Sequence, residues 1–267
     1  MNRALQTFCL LCTLFVVTLC DVPSIQAEML VNSRPILGEG SNYDTRRKVL
    51  FWIDITGKSV HMYNPATNQD KYFIVDQFIG FIVLTKSGDG LIMGLRDGIA
   101  HGTFRYSEGE ISGIDVRLIK RVEEEKEHNR FNDGKCDPAG NLWGGTMELD
   151  CKQGQGNLYS FRYKPESGTL NMTKVIADTT ISNGIVWSRD QRTMYWTETI
   201  EGSIYAFDYN VRTMQISNKR LAYKAAPGAG SPDGMTIDSD DKLWVAHYGG
   251  SSGHSCRSKH KKRVVPS

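Results

Sequence analysis

The stretch Phe131–Gly145, FNDGKCDPAGNLWGG, returns a hundred residues later in Ser231–Gly250, SPDGMTIDSDDKLWVAHYGG. Both run Asp-Gly, a short gap, Asp, a turn and then Leu-Trp. Repetition at a fixed period marks a chain built from copies of one supersecondary unit. Two further copies are clear. Glu39-Gly40 precedes Leu50-Phe51-Trp52 in LGEGSNYDTRRKVLFWIDI, and Asn183-Gly184 precedes Met194-Tyr195-Trp196 in ISNGIVWSRDQRTMYWTET. A weaker copy surrounds Gly80 in FIGFIVLTKSGDGLIMGL. The marker glycines Gly40, Gly80, Gly134, Gly184 and Gly234 stand at intervals of 40, 54, 50 and 50 residues.

Every unit follows one plan. A short apolar strand follows the marker glycine, and a turn rich in Asp, Gly and Asn comes after it. A second strand carries aromatics, as in VLFWIDI and TMYWTET. A third alternates, as in GKSVHMYNP, GNLYSFRYKP and GSIYAFDYN. A fourth is more polar, as in KYFIVD, VRLIKRVE, MTKVIAD and NKRLAYK. No stretch carries the period of an amphipathic helix of ten residues or more. Four short strands per unit predict all-β structure and the blade of a β-propeller. A sandwich or barrel also uses many short strands, but it needs no identical punctuation at each repeat.

The repeat also points to a site. The inner strands of a propeller converge on its channel, and the residues just before the markers are Glu39, Asp133, Asn183 and Asp233, with Asn132 beside the second. Their oxygens suit a hard divalent cation. The plainer reading is that Asp-Gly and Asn-Gly are good turns.

The 267 residues carry a formal net charge of +2, which does not point to nucleic acid. The last 17, SSGHSCRSKHKKRVVPS, hold five Lys or Arg and no acid, so the body is mildly acidic. Such a tail is either a solvated end or a binder of acidic surfaces. Residues 1–27 read as a signal peptide: Arg3, then the apolar run FCLLCTLFVVTLC, with cleavage after Ala27 or Cys20. A short membrane anchor is the alternative, but the run is short for a span. The expected location is therefore secreted. Cys136, Cys151 and Cys256 remain in the mature chain, with Cys136–Cys151 a candidate bridge. No CxxC pair supports a thiolate zinc site. The NMT at Asn171 is a glycosylation sequon, usable only in the secretory path. No Gly-x-Ser-x-Gly elbow supports a serine hydrolase. His101, His128 and His247 are scattered and read as surface or structural residues.

The motifs LGEG with LFWIDI, NRFNDGKCDPAGNLWGGTM, ISNGIVWS, AFDYN and PDGMTIDSDDKLWVAHYGG resemble the regucalcin, gluconolactonase and luciferin-regenerating enzyme family, also called the senescence marker protein family. The resemblance runs from about Ile36 to Gly250. It implies a six-bladed propeller with one divalent cation, calcium first and zinc, magnesium or manganese as alternatives. The implied ligands are Glu39, Asn183 and Asp233, with Asp233 also the general base. Arg130 and Asn132 match residues that hold a sugar lactone. The next substrate position falls on Asp150 by ungapped counting, with Glu148 the alternative. The implied reaction is hydrolysis of the lactone: its carbonyl is polarised by the metal, and Asp233 or the metal activates water.

After WVAHYGG the resemblance stops. The expectation is a propeller of about four and a half blades over residues 28–250, lacking its C-terminal blade, followed by a divergent basic tail at 251–267 that is without strand periodicity and expected to be disordered. A truncated product is the first reading, and a stable open variant the second. An open ring exposes strand edges, which puts activity in question. Alternatives to a lactone hydrolase are a calcium-binding regulatory protein without turnover, an enzyme of the luciferin-regenerating type and an extracellular binding module. The expected partner is a small lactone, with no nucleic acid and no membrane span once the signal is removed. The sequence leaves the oligomeric state open.

Overall fold

The computed structural model describes residues 29–250 and the backbone of 261–265. The signal peptide expected over 1–27 and Cys256 lie outside them. The described chain is all-β and folds as a propeller of antiparallel sheets. Blade 1 holds β1 (Gly38–Asp44), β2 (Val49–Asp54), β3 (Ser59–Asn64) and β4 (Gln69–Ile74). Blade 2 holds β5 (Ile79–Leu84), β6 (Gly90–Leu95), β7 (Gly98–Ser107) and β8 (Glu110–Arg121). Blade 3 holds β9 (Asn129–Cys136), β10 (Leu142–Glu148), β11 (Gly156–Lys164) and β12 (Thr169–Thr179). Blade 4 holds β13 (Ser182–Trp187), β14 (Thr193–Glu198), β15 (Ser203–Asn210) and β16 (Gln215–Lys224). A fifth sheet holds β17 (Ser231–Ile237), β18 (Leu243–Tyr248) and β19 (Lys261–Val265).

That last strand corrects the reading of the tail. Lys261–Val265 pairs antiparallel with β18, from Leu243↔Val265 to His247↔Lys261. The fifth sheet therefore has three strands rather than two. The bare edge of β18 offers unpaired N–H and C=O groups that any extended segment can satisfy. Periodicity is a weak signal over so short a segment.

The marker glycines lie inside the first strand of each blade, so the plain turn reading does not hold. These five strands touch in sequence: β1 meets β5, β5 meets β9, β9 meets β13 and β13 meets β17. The space is too small for a side chain at three of the markers, and a Cβ on Gly134 would lie 2.6 Å from the Phe81 ring and 2.7 Å from the Trp143 carbonyl oxygen. A Cβ on Gly80 would lie 2.1 Å from the Phe131 carbonyl oxygen, and one on Gly184 would lie 2.8 Å from that of Asp233. At each marker the ladder to the second strand also slips. The slips fall between Glu39 and Asn42, Ile79 and Phe81, Asn183 and Ile185, and Pro232 and Met235, and in β9 at Asn132, opposite Gly145 and Thr146. A bulge bends its strand and re-aims the local side chains.

The core is divided among the gaps between blades. Phe51, Ile53, Leu91 and Met93 join blades 1 and 2. Phe81 and Phe131, edge to face at 5.5 Å, join blades 2 and 3. Trp143 and Trp187, 5.8 Å apart, join blades 3 and 4, and Val186, Met235 and Val245 join blades 4 and 5. Fourth strands such as β4 and β16 are largely exposed, as their polar sequence predicts.

The Asp and Trp of the opening phrase meet. Asp137 Oδ1 accepts the N–H groups of Ala139 and Asn141, and its Oδ2 accepts the Trp143 indole N–H at 3.3 Å. Asp238 does the same for Asp240, Lys242 and Trp244, the indole at 2.9 Å. The Tyr209 hydroxyl also donates to Asp137 Oδ2 at 2.6 Å, which fastens blade 4 to blade 3.

The candidate Cys136–Cys151 bridge is not formed, and both thiols are free. Cys136 sits opposite Leu142, at one end of the β9–β10 hairpin. Cys151 follows Glu148 at the other end. Six ladder steps of about 3.3 Å separate the ends by roughly 20 Å, beyond the reach of a disulfide.

Two substitutions test the packing of the inner strands. Gly80→Ala and Gly184→Ala are expected to destabilise the chain by about 1–3 kcal/mol or more, since backbone must move. Gly234→Ala is the control. Its Cβ would meet only Asp133 Oδ2, at 3.9 Å, and a change under about 1 kcal/mol is expected. Urea unfolding of the three variants measures the contrast.

Candidate functional site at the channel mouth

The inner strands all run the same way, so their first residues gather at one mouth of the channel. Glu39 is the second residue of β1, Asn183 the second of β13 and Asp233 the third of β17. Arg130 and Asn132 come from the start of β9. Arg130, Asn183 and Asp233 are buried, while Glu39, Asn132 and Asp133 keep partial contact with solvent.

Electrostatics shows which of these side chains come together. Glu39 is pushed up from 4.5 to about 8, first by burial and then by the charges of Asp233 and Asp133, with Arg130 opposing. Asp133 is pushed up from 3.8 to about 6 by burial, opposed by Lys135, and Asp233 adds to the rise. Burial lowers Arg130 to about 10, while Cys151, Glu39 and Asp233 work the other way. Three carboxyls and one guanidinium thus share a field.

Hydrogen bonds fix the rest. Arg130 Nη1 donates to the Phe131 carbonyl and to Asn132 Oδ1, both at 2.9 Å. Asn132 Nδ2 donates across to the Ser182 carbonyl in blade 4, at 3.1 Å. The N–H groups of Gly134 and Gly234 donate to the Oδ1 atoms of Asp133 and Asp233, at 2.7 and 2.9 Å. Asn183 Nδ2 donates to Thr199 Oγ1 at 2.9 Å, and Thr199 Oγ1 donates to the Pro232 carbonyl at 2.9 Å. With its nitrogen so engaged, Asn183 keeps its amide oxygen as the group available to a ligand.

These residues fit a hard cation: two carboxylates and an amide oxygen, in a cluster whose like charges a cation would relieve. Among the described residues, no three His, Cys, Asp or Glu side chains group closely enough to hold a metal by themselves. The candidate set relies on Asn183 for its third donor.

Asp150 is not drawn into the cluster. It stands on the β10–β11 turn with its side chain 78% exposed, 3.8 Å from Lys152 Nζ. Glu148 is buried, but its carboxylate serves the turn, accepting from the N–H groups of Asp150 and Lys152 and from Lys152 Nζ. His247 is a structural residue within β18, its Nδ1 3.0 Å from the Ala229 carbonyl oxygen.

Asp133, Lys135 and Thr199 join the site beside the ligands and substrate residues that the resemblance implies. Asp133 was legible from the repeat, as the residue before a marker. Lys135 is its neighbour at the two-residue strand period and reaches the Met235 carbonyl at 3.3 Å. Thr199 carries no motif, since its role depends on how blade 4 meets blade 5. A second polar array lies away from the channel. Ser59 Oγ is 2.9 Å from His61 Nε2, and His61 Nδ1 is 2.7 Å from Asp70 Oδ2. The Trp52 ring stacks on His61 at 3.7 Å and Ser59 is only 5% exposed. This array is a ladder within the blade, closed to substrate.

A propeller with carboxylates, an arginine and amides gathered at one channel mouth is the class of protein that these residues define. The chain belongs to the SMP-30/Gluconolactonase/LRE-like family, matched over residues 37–263. Regucalcin of Xenopus laevis is 34% identical over 232 residues, spanning 85% of this chain and 73% of its own. YvrE of Bacillus subtilis (strain 168), to which sugar lactone lactonase activity is ascribed, is 33% identical over 228 residues with the same coverage. The solved luciferin-regenerating enzyme superposes with a TM-score of 0.72 at 32% identity, over 81% of this chain and 70% of that one. A calcium-binding regucalcin of Agrobacterium tumefaciens also reaches 0.72, over 82% and 70%; at 23% identity it speaks to the fold alone.

The charge cluster has a consequence for stability. Between about pH 4.5 and about pH 8 the folded chain retains a proton on Glu39 that the unfolded chain has released. Stability therefore falls as pH rises through that window. In chelator, the melting temperature is expected to decline from about pH 5 to about pH 8, and Glu39→Gln to flatten the decline. A thermal melt series across pH measures both.

Proposed function

We propose that this protein is a divalent-cation-dependent hydrolase of a sugar lactone, with calcium the first candidate. The observation that carries the reading is the meeting of Glu39, Asp233 and Arg130 at one channel mouth, beside an Asn183 whose amide nitrogen is already engaged. The family and the lactonase ascribed to the bacterial relative support the reaction class.

Glu39, Asn183 and Asp233 would hold the cation. A bound cation supplies Lewis-acid polarisation of the lactone carbonyl. Arg130 and Asn132 are bonded to each other and present a guanidinium and an amide N–H to the hydroxyl oxygens of a sugar. Asp233 would take a proton from the attacking water. Attack on the carbonyl carbon breaks the ring C–O bond, and the product is a hydroxy acid.

A second reading is calcium binding without turnover, favoured by the regucalcin relatives. Gluconolactone and calcium separate the two. Acid release in the parent, reduced by roughly 10²-fold or more in Asp233→Asn while the fold is retained, is expected of the hydrolase. Calcium binding by calorimetry with no acid release from a panel of lactones would establish the second reading.

Thr199 gives a further check, because it touches the ligand residue Asn183 rather than the cation itself. Thr199→Val is expected to weaken calcium binding by about 10- to 100-fold, and Thr199→Ser to restore it. Calorimetry on the two variants reads this independently of turnover.

A further inference from the structure

The sequon at Asn171 has no part in the channel mouth. Asn171 lies in β12, the outermost strand of blade 3, opposite Arg162 of β11. Asn171 and Thr173 are both exposed, and residues two apart in a strand share a face. That face borders a cleft of about 820 Å³ between blades 3 and 4, whose walls include Arg162, Lys164, Asp208, Asn210 and Gln215. Arg162 reaches across to blade 4, donating to the Arg212 carbonyl at 2.9 Å. The acceptor amide, the sequon hydroxyl, an open strand edge and polar room for sugars therefore occur together.

We propose that the chain enters the secretory pathway and carries an N-linked oligosaccharide on Asn171. In the transfer, Asn171 Nδ2 forms a bond to the anomeric carbon of the first N-acetylhexosamine. The bond from that carbon to the oxygen of a lipid pyrophosphate donor breaks; the lipid pyrophosphate leaves with the electron pair, and Nδ2 gives up one proton. Beside β12 the bulky, hydrated sugar blocks a second strand from pairing with an otherwise open edge. The proposal does not depend on the lactonase reading, so either can fail alone.

The test is expression of the full chain, with its own N-terminus, in cultured animal cells. Chain from the medium is compared by intact mass and peptide mapping before and after peptide N-glycosidase. The expected result is a heterogeneous mass that collapses on treatment, with the Asn171 peptide gaining the mass signature of deamidation. Asn171→Gln and Thr173→Ala are expected to lose the modification, and Thr173→Ser to keep it. The serine variant separates loss of the sequon from loss of the fold. An unmodified Asn171 in chain from the medium overturns the proposal, as do retention of the chain in the cytosol and a glycan that survives Thr173→Ala.

Discussion

The distance between neighbouring inner strands governs this molecule. Where β5 passes β9 and β13 passes β17, backbone meets backbone, and a glycine is the residue that allows it. At the same positions the ladder to the second strand slips by a bulge. Close approach and bulge together turn the residue before the glycine toward the channel. The packing constraint accounts for three of the five markers, while the ladder slip recurs at all five. At Gly80, Gly134 and Gly184 a neighbouring blade occupies the space of a side chain, Gly40 has a left-handed φ of 63°, and Gly234 has room for a Cβ.

A second recurrence has a separate cause. The Asp after each opening phrase divides its two oxygens between jobs, one holding the N–H groups of the hairpin turn and the other taking the indole N–H of the following strand. Other blades meet the same need with other acceptors. Asp44 takes the Arg46 N–H, the Thr85 hydroxyl takes the N–H of Gly90, and the Ser188 hydroxyl takes that of Thr193. The position is constant while the residue type varies, so the phrase looks repeated in two blades and faint in the rest. In blade 3 the same carboxylate also accepts the Tyr209 hydroxyl, so a local turn device becomes a joint between blades.

This difference decides what could be read from sequence. Strand number and order were legible because each blade repeats a short-range pattern of marker, turn and aromatic strand. The marker neighbours Glu39, Asp133, Asn183 and Asp233 were legible for the same reason. Thr199 was not, because its contacts with Asn183 and Pro232 lie 16 and 33 residues away and follow from the seating of blade 5 on blade 4. Asp150 was reached by counting along a turn, where no ladder fixes the register, and the turn leaves it in solvent. The pairing of Cys136 with Cys151 was plausible by number and fails by geometry, since a hairpin sets its two ends apart. The β19 strand was missed because an edge imposes pairing on a segment whose own pattern is weak.

The site opposes the fold that carries it. Glu39 and Asp133 are held above their ordinary ranges largely by burial, which means that their ionised forms are destabilised where they stand. The apolar contacts that offset this lie elsewhere, in the gaps between blades. That separation lets the channel mouth remain polar without opening a void in a core. Within the mouth, glycine N–H groups donate to Asp133 and Asp233, and Arg130 lowers Glu39 without cancelling the rise. A cation binds the ionised carboxylates and competes with their protons, so its affinity for this cluster rises with pH as Glu39 gives up its proton towards about pH 8. The burial that raises Glu39 and Asp133 therefore costs the fold stability, and a cation shared by ionised carboxylates would offset that cost.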